Sequence, residues 1–260
     1  MSIKKGDYVT RKSYDHDTVF KVLKIHDGIV YLKGTEVRLY ADSPEEDLKL
    51  FIEEEQRPPE ELDDLELKEK LLERGDYFYL PARILHIDGD EEYLDRCLKF
   101  YKKNGVLAIG KKIKENHIYE QIKGLLLEYK PDIVIITGHD AFYKKKQNTE
   151  DLANYKNSEN FVKAVKVARN VEKSHEKLVI IAGACQSNYE ELIKAGANFA
   201  SSPKRVNIHA LDPAIIACTI SLTERNKEID LVDLLNKTKY KSDGMGGILC
   251  NGLMYIGYPR

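Results

Sequence analysis

The sequence has no cysteine pair at metal-ligand spacing. Its four cysteines, Cys97, Cys185, Cys218 and Cys250, stand far apart, and none belongs to a Cys-x-x-Cys motif. That argues against a zinc site and a disulfide framework, so each is expected as a thiol in a reducing compartment. Long apolar runs are also lacking: none approaches the roughly 18–20 residues that span a bilayer. No secretory leader is expected, because Ile3 is followed at once by Lys4, Lys5 and Asp7. A cytoplasmic protein without membrane association is the expectation. Nor is there an excess of one charge. Forty-one Lys and Arg face 43 Asp and Glu, for a net charge of −2. General attraction to nucleic acid or to an acidic membrane is therefore not expected. No bound metal or cofactor is expected either.

What is present is an ordinary globular composition, 42 % hydrophobic and 32 % charged over 260 residues. That length suits one large domain, or a small one joined to a medium one. Residues 1–43 read as a β module. Val19–Leu23, Ile29–Leu32 and Val37–Leu39 are β-branched and aromatic, and are separated by Asp27-Gly28 and Gly34. With the opening Gly6-Asp7-Tyr8-Val9, they resemble a small SH3-like barrel of three or four strands. Residues 44–77 are dense in charge, with Pro58-Pro59 and with Leu62, Leu65, Leu67, Leu71 and Leu72 at roughly helical spacing. They read as a linker with one solvated helix.

From 78 to 260 strands and helices alternate. Strands are expected at 82–87, 106–109, 133–136 and 178–182. Helices are expected at 91–103, 115–129, 159–172, 188–195, 212–220 and 229–238. Two strands are continuous aliphatic runs, as strands covered on both faces are. The alternation predicts βαβ units and a mostly parallel sheet flanked by helices. A Gly-rich turn at 244–247 and a terminal hairpin are expected to follow.

In an open α/β sheet, ligands bind beyond the carboxyl ends of the strands. His139 and Asp140 follow the third strand, and Cys185 and Gln186 the fourth. If those strands are neighbours, a thiol and an imidazole able to take its proton share one edge, which is what nucleophilic thiol chemistry requires. The helix after Cys185 would favour thiolate, and the backbone N–H groups of Asp140 and Cys185 are candidate oxyanion donors. Taken singly, a strand-end cysteine is more often a small core residue and a lone histidine more often structural; the pairing sets these two apart. Cys97 within a helix, Cys218 in an apolar run and Cys250 in an expected terminal strand look inert.

Other readings compete. Asp88-Gly89-Asp90 after a strand resembles the DxD of dehalogenase-type phosphatases. Asp243-Gly244-Met245-Gly246-Gly247 resembles the metal site of certain Ser/Thr phosphatases, although the α/β rhythm upstream opposes that fold. A non-enzymatic regulatory binding protein, using Lys144-Lys145-Lys146, is the third.

A histidine after one hydrophobic block and Ala-Cys after another, 46 residues later, resemble the caspase-like clan of cysteine peptidases. Gly183, Ser187 and Asp140 depart from the caspase pattern. A closer resemblance is to the YabG sporulation peptidases. It is carried by Ile136–Ala141, Ala182–Ser187, Ala195–Pro203, Arg205–Pro213, Gly6-Asp7 and Arg11–Tyr14, and covers essentially the whole chain. It implies a caspase-like domain after the β module. It also implies an endopeptidase that trims spore coat and germination-related precursors in the sporulating cell, in association with the spore coat, and cleaves chiefly after Arg. Arg-cutting relatives place acids after the first strand and shortly after the cysteine. Those places hold Asp88, Asp90, Glu190 and Glu191, with Asp88 first and Asp140 and Asp212 in reserve, because a basic side chain calls for a carboxylate in its pocket. Arg57 and Arg74 are candidate sites of self-cleavage.

Overall fold

A computed structural model describes residues 3–51, 76–143 and 148–259. The chain divides into two units, Met1–Glu61 and Leu62–Arg260. The expected linker helix, Arg57, Arg74 and Lys144–Lys146 lie outside the described residues.

The first unit is a five-stranded antiparallel sheet. Its strands are β1 (Tyr8–Arg11), β2 (Val19–His26), β3 (Ile29–Gly34), β4 (Tyr40–Pro44) and β5 (Leu48–Leu50), in the order β4-β3-β2-β1-β5. Alternate residues point inward, so Val9, Phe20, Val22, Val30 and Leu32 form a core with Leu48. Five strands form where three or four were expected. The strands not anticipated are β1, β4 and β5, and β5 lies past residue 43: Leu48-Lys49-Leu50 alternates apolar and polar and pairs with β1. The expected strand at 37–39 is instead a buried connection into β4.

The second unit is a three-layer α/β/α arrangement. Its elements begin with β6 (Phe78–Leu80), β7 (Ile84–Asp88), α1 (Glu91–Lys103), β8 (Ala108–Lys112), α2 (Ile118–Tyr129), β9 (Ile133–Thr137) and α3 (Ser158–Val171). They continue through β10 (Val179–Ala182), α4 (Tyr189–Lys194), β11 (Phe199–Ser201), α5 (Asp212–Leu222), α6 (Leu231–Asn236), α7 (Lys241–Gly244), β12 (Met245–Gly247) and β13 (Tyr255–Gly257). The main sheet runs β12-β11-β10-β9-β7-β8 and is parallel except for β12.

The aliphatic strands are two-sided. Ile84, Ile133, Ile135, Val179 and Ile181 join a core with Phe100 and Tyr101 of α1 and the apolar α5. Leu85, Ile87, Val134, Ile136 and Ile180 join another with Ile118 and Ile122 of α2 and Phe161 and Val165 of α3. Placing α1 on one face and α2 and α3 on the other follows from the winding. The chain starts in the middle at β7, steps outward to β8, then crosses back to β9. The carboxyl ends of β7 and β9 therefore flank the point where the winding reverses, the crevice in which such sheets bind ligands.

Three terminal features differ from expectation. Met245–Gly247 is an edge strand antiparallel to β11, not a turn. Glycines usually mark turns; here Gly247 is required by packing, since a Cβ there would stand 2.4 Å from Phe199 Cδ1. Instead of a terminal hairpin, β13 pairs with the distant β6. Cys250 lies in the connection between β12 and β13, not in a strand.

Candidate active site

Three loops meet at the reversal point. Asp88 ends β7 and Asp90 caps α1, its Oδ1 accepting the N–H groups of Glu92 and Tyr93 at 3.0 and 3.2 Å. The loop after β8 carries Glu115. The loop after β9 carries His139, whose side chain is 10 % exposed.

Glu115 reaches across the strand ends. Its Oε1 accepts the His139 backbone N–H at 2.8 Å and lies 3.4 Å from His139 Nδ1. Gly89 and Gly138 make room for it: a Cβ on either would stand 2.3 or 2.4 Å from Oε1. Burial pushes the Glu115 carboxyl up, but the His139 ring and the surrounding N–H groups outweigh it and hold the group below its ordinary value. On the other side of the ring, His139 Nε2 lies 3.7 Å from Asp90 Oδ2, and Tyr93 packs at 5.8 Å between centroids.

The β10 end is built differently. β9 and β10 pair in parallel register, Ile136 opposite Ala182, so the loops bearing His139 and Cys185 leave adjacent strands at the same end of the sheet. Gly183 turns the chain with φ +104, and its carbonyl accepts the Thr137 hydroxyl at 2.8 Å. Cys185 is 0 % exposed and belongs to the α1/α5-side core. Its Sγ accepts the Ile208 N–H at 3.3 Å and faces the Ile208 carbonyl at 3.7 Å. The neighbouring Gln186 N–H is held by Ser202 Oγ at 2.9 Å and the Val206 carbonyl at 3.1 Å. Segment 202–208 thus covers the cysteine loop.

Asp140 joins the two loops. Its Oδ1 accepts the N–H groups of Ala141 and Asn157 at 2.9 and 2.7 Å, and its Oδ2 accepts the hydroxyls of Ser158 and Ser187 at 2.5 and 2.8 Å. Burial raises its pKa above the ordinary carboxylate value, against the pull of these donors. The sequence points to Asp140 for its backbone N–H and, in reserve, as a carboxylate for a basic substrate side chain; that its carboxylate ties the two loops together is visible only in the fold.

The remaining candidate acids are placed as follows. Asp88 is fully buried, with Oδ1 accepting the Asp90 N–H at 2.9 Å and Oδ2 3.6 Å from His86 Nε2. Glu190 pairs with Arg205, which Tyr155 Oη also holds at 2.7 Å. Glu191 pairs with Lys194 at 2.7 Å. Asp212 is buried and accepts the His209 and Lys239 N–H groups at 2.8 and 2.9 Å. Glu115 was missed altogether. Its only trace in the sequence is the glycine after each of two strand ends, Gly89 and Gly138.

The family model for YabG peptidase U57 matches residues 4–73 and 60–259. The chain belongs to the YabG peptidase family. It is also 42 % identical to the sporulation-specific protease YabG of Bacillus subtilis (strain 168) over 286 aligned residues, covering 100 % of this chain and 99 % of that protein. Membership of the YabG family makes the chain a peptidase with a role in sporulation and sets the phosphatase and binding-protein readings aside. Asp243 lies in the short helix α7 before an edge strand. Among the described residues, no group of His, Cys, Asp and Glu could hold a metal, and no helix is long and apolar enough to cross a membrane.

Proposed function

We propose that the chain is a cysteine endopeptidase in which Cys185 is the nucleophile and His139 the general base. The observation that carries the reading is the pairing of β9 with β10, which delivers both residues to one end of the sheet beside the reversal point. The Cys185 S–H proton passes to His139. The sulfur then attacks the peptide carbonyl, and the backbone N–H groups of Asp140 and Cys185 receive the oxyanion. The imidazolium returns the proton to the leaving amine as the C–N bond breaks, and water hydrolyses the thioester.

The described arrangement is the resting one. With Cys185 enclosed, attack requires segment 202–208 to lift and the Ile208 bonds to the sulfur to break. Cleavage after Arg is assigned to the carboxylates at the end of β7. Asp90 is the member beside His139, and Asp88 stands behind it, holding its N–H. Glu190 and Glu191, already paired with Arg205 and Lys194, rank after them. The α/β unit is read as caspase-like and the first unit as an SH3-like module that docks substrate. The substrates are spore coat and germination-related precursors, which places the enzyme in the sporulating cell and at the coat.

Cys185→Ala and His139→Ala test the mechanism. Both should fold with unchanged circular dichroism and lose at least about 10⁴-fold in kcat/KM on an Arg-containing peptide, the loss typical of a missing nucleophile or base. Wild-type cleavage by either variant discards it.

A further inference from the structure

We propose that Glu115 is the positioning residue of this peptidase, the carboxylate that fixes the orientation and tautomer of His139; the inference rests on His139 being the base. The geometry is specific. One oxygen of Glu115 holds both the backbone N–H of His139 and, at 3.4 Å, the ring Nδ1. A proton on Nδ1 directed at that oxygen leaves Nε2 as the acceptor, the form a base must have. The imidazolium formed when the thiol gives up its proton then lies against an anion already in place, so no group needs to move to stabilise it.

The surroundings show a built site. Glu115 comes from a loop on a different strand than His139 and lies across the ends of β7 and β9. Its side chain is 15 % exposed. Room for its carboxylate exists only because residues 89 and 138 have no side chain. A surface glutamate with a merely local role would not need two glycines on two separate strands to admit it. Asp90, at 3.7 Å from Nε2, lies on the ring edge that must accept the thiol proton, and it is engaged as the cap of α1. The Nδ1 side therefore belongs to Glu115.

The test separates positioning from stability. Glu115→Gln keeps the shape and loses the charge. It should lower kcat by about 10²-fold or more while KM stays within about twofold, because the loss falls on the transition state. Gly138→Ala should lower both kcat and Tm by pushing the carboxylate aside. Adding Glu115→Ala to Gly138→Ala should restore Tm by making room and leave kcat low. Recovery of activity together with Tm in that double variant overturns the proposal, because Glu115 would then matter only through packing. A kcat within about threefold of wild type in Glu115→Gln, with His139→Ala inactive, also overturns it. Full activity in His139→Ala instead defeats the underlying assignment of the base.

Discussion

The two strand ends that supply the proposed catalytic pair are prepared to different degrees. At β9 the imidazole is set between Glu115 and Asp90, its side chain 10 % exposed and its Nε2 enclosed. At β10 the thiol is packed into a hydrophobic core and bonded to the backbone of a covering segment. On the proposed assignment, the base is already oriented and the nucleophile is the more deeply enclosed of the two. The contrast teaches that, on that assignment, activity turns on access to the sulfur more than on assembly of the base. A loop that only has to lift is also a cheaper switch than rebuilding a buried charged cluster, whose disruption leaves charges without partners.

The comparison breaks most severely at Asp140, which both loops share. Asp140→Ala leaves two N–H groups and two hydroxyls without their acceptor in a buried site. Urea unfolding should show a loss of about 3 kcal/mol, and cleavage should fall with it. A stable, active variant would mean that the loops are independent. Next is the thiol itself. In the native protein Cys250, half-buried, should label with iodoacetamide first. Cys185 should follow at least about 10²-fold more slowly, with protection equivalent to about 2.7 kcal/mol. Equal rates, followed by mass spectrometry, would show that the cover is already open.

On the β7 side, Asp90→Asn keeps a good helix cap but removes a charge. It should reduce kcat/KM for an Arg substrate by roughly 30-fold, about 2 kcal/mol, with little change in Tm. An undiminished rate would move Arg recognition elsewhere. The smallest effect is in pH. Because the folded-state pKa of Asp140 is raised, the native state holds its proton more tightly than the unfolded chain. Its contribution is therefore fully present below 3.8 and is lost as pH rises through the folded value. Wild type should lose stability relative to Asp140→Asn across that window and run parallel to it above. A gap that instead widens in favour of wild type as pH rises would show that the donors win over burial.

The rhythm of the chain made much of this legible. Ile133–Ile136 and Val179–Ala182 are continuous aliphatic runs because both their faces are covered, and the loops just past them leave adjacent strands at the same end of the sheet. What could not be read depends on distant partners. The pairing of Tyr255–Gly257 with Phe78–Leu80 has no local periodic signal. The β12 glycines read as a turn because the Phe199 ring that demands Gly247 lies on another strand. Glu115 occupies an unremarkable charged stretch, Lys111 to Glu115, and only the folded crevice distinguishes it from its neighbours. The cover over Cys185 was equally hidden, since Ile208 acts through its backbone, which carries no side-chain signature.

That cover also decides what oxidants can do to the enzyme. Sulfenic acid forms where peroxide meets an accessible thiolate. A sulfur with no exposed surface, bonded to Ile208 instead of water, stays off that ladder while the segment is shut. On the proposed assignment, peroxide meets the half-buried Cys250 first, slowly because burial lifts its thiol pKa to about 11, and each opening of the segment would expose Cys185 to peroxide as well as to substrate.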